Sequence, residues 1–169
     1  METKLTKEEF TGVLDNWVKA LRSGNYVQGQ QLLFYENNYG KQLYCCLGVY
    51  CALAIPDIES NTNIQAQTCK IYNTLGYLLE DNTPEVIVAK VLEDLKFNKY
   101  LASMNDALKF DTKIYEKFIN LFAKYDIFVD LDFENKIIDN SFNSIAEIID
   151  QLKESIYNFY INEPKNQRT

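Results

Sequence analysis

The chain has 169 residues, 47% of them hydrophobic and 14% aromatic, and carries 17 basic against 24 acidic side chains for a net charge of −7. That composition excludes a disordered chain and disfavours a DNA-backbone or anionic-membrane binder, which needs a basic surface. Histidine is absent, which removes Ser-His-Asp and Cys-His nucleophile systems, histidine bases and most catalytic zinc sites.

The first predicted element is a helix. Thr6 and Glu9 form a capping-box pair. Phe10, Val13, Leu14, Trp17, Val18 and Leu21 then recur at three- and four-residue steps as one apolar stripe. Ser23-Gly24 ends it, with Gly24 suited to the left-handed C′ position. Trp17, the single tryptophan, reads as core.

Tyr26 to Gly29 reads as a short connection. Gln30–Tyr35 and Lys41–Tyr44 are candidate strands around Glu36-Asn37-Asn38-Tyr39-Gly40, where Asn and Gly supply the positive φ of a tight loop. Next comes the apolar block from Tyr44 to Ala54, which holds Cys45, Cys46 and Cys51. It is shorter than the roughly 20 residues a membrane span requires, so it is expected to be a buried central helix. Leu47, Tyr50, Cys51 and Ala54 share one face, and Gly48 marks a close approach by a neighbour. Ile55-Pro56 stops it.

Residues 57–67 read as a polar loop, Thr68–Tyr72 as a possible strand, and Asn73–Leu79 is ambiguous. Thr83-Pro84-Glu85 is a helix start, with an N-cap, proline at N1 and an acid in the first turn. Val86, Ala89, Val91 and Leu92 carry that helix to about Leu95. Tyr100 to Asp106 ends in a polar pair suited to capping or turning. Asp111 is expected to cap a helix bearing Ile114, Tyr115, Phe118, Leu121, Phe122 and Tyr125. Ile127–Phe133 alternates like a half-buried strand. Ser144 and Glu147 suggest a second capping box, opening a long helix striped by Ile145, Ile148, Ile149, Leu152, Ile156 and Phe159.

These elements predict an α+β fold: one helix-rich globular domain over residues 1–163, with a small antiparallel β-sheet packed on a buried central helix, and a frayed tail over 164–169. Four cysteines without an export segment point to a reducing compartment. Their spacing, Cys45, Cys46, Cys51 and Cys69, contains no C-x-x-C pair, so no metal site is expected. No cofactor is expected either, since G-x-G-x-x-G, Gly-Lys-Ser/Thr and Gly-x-Ser-x-Gly are all absent.

Candidate sites remain. Arg22, Lys41 and Tyr44, with Lys19 nearby, would suit a small phosphorylated ligand, and Asn105-Asp106 would orient one through paired hydrogen bonds. The bland readings are a helix C-terminal charge for Arg22 and a cap or turn for Asn105-Asp106. Asp126, Asp130, Asp132 and Glu134 form the densest acidic cluster. Without a nearby glycine they do not make a calcium loop, and Asp130 and Asp132 are candidates for contact with a basic partner.

Two blocks carry a resemblance. They are Trp17…Ala20-Leu21-Arg22-Ser23-Gly24-Asn25-Tyr26-Val27-Gln28-Gly29 and Tyr44-Cys45-Cys46-Leu47-Gly48-Val49-Tyr50-Cys51. Together they resemble a family of small, mostly uncharacterised proteins of tailed bacteriophages and prophages. Leu101 to Asp106 and Ser141 to Ile149 are similar to two halves of that family's C-terminal pattern, here separated by an insertion over Ala107–Asn140. The glycine expected after Asn105-Asp106 is missing.

The resemblance implies no catalytic residues. It points to an accessory anti-defence protein in the host bacterial cytosol. Such a protein would bind a host defence effector directly or sequester a small nucleotide signal, without direct nucleic-acid or membrane contact and with possible homo-oligomer formation. The alternatives are a virion structural or assembly protein, and a histidine-independent enzyme using carboxylates or a thiolate of Cys46 or Cys51.

Overall fold

The computed structural model describes residues 4–55, 57–58, 83–107, 112–125, 127 and 141–162, the side chains of 112–115 and 118 excepted. The expected elements in 59–82, the strand at Ile127–Phe133, the residues Asp111, Cys69, Asp126, Asp130, Asp132 and Glu134, and the tail lie outside them, Ile127 aside. Among the described residues the fold is α+β, with six helices and one two-stranded antiparallel sheet. No helix there is long and apolar enough to cross a membrane.

Helix α1 (Lys7–Arg22) forms as its sequence dictates. The Thr6 hydroxyl accepts from Glu9 N while the Glu9 carboxylate accepts from Thr6 N, satisfying two donors that a helix N-terminus leaves orphaned. Gly24 takes φ +77° just past the end. The buried stripe packs on α6 (Phe142–Asn162), the last helix. Phe10 stacks on Tyr160 with centroids 4.8 Å apart. Lys7 pairs with Glu154, Lys153 with Asp15, and Arg22 with Glu147 at 2.6 Å. Rising numbers on α1 meet falling numbers on α6, so the two helices run antiparallel.

The strands β1 (Phe34–Glu36) and β2 (Gln42–Tyr44) pair with Phe34 opposite Tyr44. The strand expected from Gln30 starts later because Gln31 takes φ +72°, outside the extended region. Segment 27–29 is more than a connection. Gly29 N donates to Tyr44 O, and Tyr44 N donates to Val27 O, which makes a parallel bridge at Gln28 and Tyr44.

Helix α2 (Cys46–Ala54) is the buried centre expected, with residues 46 to 51 all buried and Ala54 at the partly exposed end. The Cys45 thiol caps it by accepting from Gly48 N. Gly48 is required by packing: a Cβ there would overlap the Leu33 carbonyl oxygen. That oxygen already accepts from Cys45 N, so it cannot withdraw without losing a hydrogen bond. Trp17 Nε1 donates to Cys46 O at 2.9 Å, tying α1 to the first turn of α2.

Helix α3 (Pro84–Asp94) starts at the Thr83 cap with proline in the first turn, as read from sequence. Lys96, at φ +62°, turns the chain into α4 (Phe97–Asp106). Asn105 and Asp106 are thus the last turn of a helix rather than a free turn. Helix α5 (Thr112–Ala123) follows, contributing Leu121 and Phe122 to the core.

The start of α6 departs from expectation. Ser141, not Ser144, caps it: Ser144 N donates to Ser141 Oγ and Ile145 N to Ser141 O. Glu147 therefore lies beyond the first turn and binds Arg22 across the α1–α6 seam. The sequence Ser-Phe-Asn-Ser offers two hydroxyls three residues apart, and contact with Gln28 selects the earlier one.

Candidate functional site

Two polar assemblies surround α2. The first is a buried knot at Asn105, which has no exposed surface. Its Oδ1 accepts from Cys46 N and Gln28 Nε2, both at 3.1 Å. Its Nδ2 donates to Gly29 O at 2.9 Å and to Asp106 Oδ1. Asp106 Oδ1 also accepts from Gln31 N, holding the residue with the left-handed backbone. The Gln28 oxygen accepts from Phe142 N and so helps to cap α6. One amide pair thereby joins α4, the 28–31 segment, α2 and α6. Every hydrogen bond described here is internal, which marks this as structural joinery.

The second assembly is a cleft of about 370 Å³, near the lower end of the roughly 300–1,000 Å³ typical of ligand pockets. Helix α1 supplies one wall through Val13, Asn16, Ala20 and Ser23. Their spacing of three, four and three places them on one helical face, with Lys19 at the rim. Tyr50 and Leu53, one turn apart on α2, form the facing wall. Asn25 and Tyr26 close one end, and Glu85 of α3 reaches the cleft as well. The Tyr50 hydroxyl donates to the Glu85 main-chain oxygen, and its ring meets Trp17 edge-on at 5.0 Å. Burial, and then the Glu85 charge, hold the Tyr50 phenol well above its ordinary pKa, so it stays protonated.

The five ligand candidates do not converge on this cleft; none of them is among the residues that line it. Arg22 extends to Glu147 and Asp150 on α6. Lys41 is exposed at the end of the hairpin loop. Tyr44 is buried between Tyr26 and Phe34. Asn105 and Asp106 belong to the knot. The partner candidates Asp130 and Asp132 lie outside the described residues.

Sequence reasoning missed the cleft because its lining is dispersed over four segments. The available signal was Asn16, Lys19 and Ser23 beside an otherwise apolar stripe.

Among the described residues, the thiols do not meet the conditions for nucleophilic catalysis. Cys45 and Cys46 have no exposed surface and Cys51 almost none. Burial, with the neighbouring Cys45 charge adding to it, pushes the Cys51 thiol up to about 12. A thiolate nucleophile needs the reverse shift and access to solvent. Among the described residues no three His, Cys, Asp or Glu side chains are grouped to hold a metal ion.

Fold and cleft together define a small helix-rich α+β protein with a single-ligand-sized cavity against its central helix. By sequence the chain belongs to the family described as a domain of unknown function (DUF8296), whose model matches residues 11–153. That match spans α1 to the middle of α6, and so includes both the knot and the cleft. No curated protein and no solved structure matches the chain.

Proposed function

We propose that this is a phage-type accessory protein that neutralises a component of bacterial immunity by binding it, with the α1–α2 cleft as the seat of binding. The cleft carries the reading. Its apolar walls and polar rim are the usual make-up of a recognition site, whereas Cys45, Cys46 and Cys51 are buried. Direct binding of a host effector is favoured over sequestration of a nucleotide. A phosphate would find Lys19 as the one cation among the lining residues, while Arg22 is committed to two carboxylates of α6.

The test is affinity recovery of the tagged protein from infected bacterial cells, followed by native mass spectrometry. A host protein is expected to co-purify with the wild type and to be lost from Leu53→Glu. Leu53 is 43% exposed, so the variant alters the cleft wall without burying a charge. A retained mass of several hundred daltons in place of a protein would move the reading to the nucleotide signal. Bare protein from both samples would overturn the binding role and leave a virion role to be tested by its presence in purified particles.

A further inference from the structure

Resting on the reading of the cleft as a binding seat, we propose that its occupant is a cationic N–H donor, the guanidinium of an arginine side chain presented by a partner polypeptide. Three acceptor groups carry this, set beside the Asn16 and Asn25 amides of the lining, which donate as well as accept. The Tyr50 hydroxyl has given its proton to the Glu85 main-chain oxygen, so it meets an occupant as an acceptor only. Ser23 Oγ has likewise given its proton to Ala20 O at 2.7 Å and accepts from Asn25 N, which leaves it lone-pair capacity alone. Glu85 adds a carboxylate, which only accepts when ionised. Among the described residues Glu85 has no ion-pair partner.

Three independent features point the same way. Tyr26 is half-buried at the end of the cleft, and an aromatic face attracts guanidinium in particular. Ala20 and Ser23 belong to the C-terminal end of α1, where the helix dipole favours a positive charge. The whole chain carries a net charge of −7, which steers a basic partner inward and slows an anionic one. Lys19 opposes the occupant from the rim, and its side chain is exposed and able to swing into solvent.

The test is an NMR titration of the full chain with the capped tripeptide Gly-Arg-Gly, its neutral citrulline isostere, and adenosine monophosphate. The arginine peptide is expected to shift the amide signals of Ala20, Tyr26, Tyr50 and Leu53. Citrulline is expected to bind at least about tenfold more weakly, the loss of one charge-assisted pair. Glu85→Gln should weaken the arginine peptide by a similar factor, Lys19→Ala should tighten it about threefold, and raising salt from about 50 to 200 mM should weaken it. Equal binding of arginine and citrulline, stronger binding of the nucleotide, or no shift in the cleft with the arginine peptide would each overturn the proposal.

The two readings fail separately. Capture of a host protein that Leu53→Glu abolishes but Glu85→Gln leaves unchanged would preserve the binding function and reject the arginine anchor. Arginine-selective binding in the cleft with no captured partner would do the opposite.

Discussion

Asn105 shows how much of the architecture can hang on one side chain. Its oxygen accepts two hydrogen bonds and its amide donates two, those with Cys46 N and Gly29 O fully buried and those with Gln28 and Asp106 part-buried. Asn105→Asp keeps the shape and loses both donors, and sets a carboxylate against Gly29 O and Asp106. Leaving buried groups unpaired costs about 1–3 kcal/mol each, so a loss of about 3 kcal/mol or more is expected in denaturant unfolding. A loss below about 1 kcal/mol would show that the knot is solvated. Gly48→Ala is a sharper case. An added Cβ would overlap the Leu33 carbonyl, and backbone cannot yield as a flexible side chain does. The expected cost is about 3 kcal/mol, the upper part of the range for overpacked cores. A variant as stable as wild type would refute the close approach. Gly48 as a contact point was legible in sequence, since a glycine inside an apolar helix needs a reason. Asn105 was not, because a polar residue near a helix end reads equally well as a cap.

At the scale of elements, the α1–α6 seam holds both apolar stacking and exposed ion pairs, and their magnitudes differ. Phe10 is fully buried against Tyr157 and Tyr160, so Phe10→Ala should cost about 3–5 kcal/mol. Lys153 contacts Asp15 at 2.9 Å and Asp150 at 3.3 Å, yet exposed pairs contribute at most about 1 kcal/mol. Lys153→Ala should therefore fall within that limit. The hydrogen bond that Lys153 donates to Asp15 is the main cause that raises the Lys153 pKa above 10.5. A raised folded-state value means that the pair's stabilisation is complete below 10.5 and is lost as pH rises through the folded value. The difference between wild type and Lys153→Ala in urea melts should accordingly vanish only in strong alkali. Its disappearance near neutral pH would contradict the pairing. Both helices of this seam were readable from their stripes. The α6 start was displaced by three residues because Gln28, distant in sequence, supplies a cap that local pattern cannot contain.

For the whole molecule, the decisive property is that the cysteine-bearing helix is enclosed by α1, α4 and the β1–β2 hairpin. In a Cys69→Ser background, Cys45, Cys46 and Cys51 should react with an aromatic disulfide reagent only as fast as the protein opens. Added urea below the unfolding midpoint should accelerate the reaction in step with the opening equilibrium. Rapid stoichiometric labelling of the native protein would contradict the burial and reopen thiol chemistry.

The amino-acid sequence by itself determined the class of fold, the cap and stripe of α1, the Thr83-Pro84 start of α3, the hairpin and the buried helix at 46–54. Each rests on interactions within a few residues, where periodicity and cap chemistry suffice. Only the tertiary structure decided that Arg22 belongs to Glu147, that Asn105 is a four-way joint, and that Asn16, Lys19 and Ser23 face Tyr50, Leu53 and Glu85 across a cleft. Those pairings join residues from about 30 to more than 120 positions apart. The packing of apolar stripes sets such distances, and polar spacing along the chain marks one wall of the cleft at most, never what faces it.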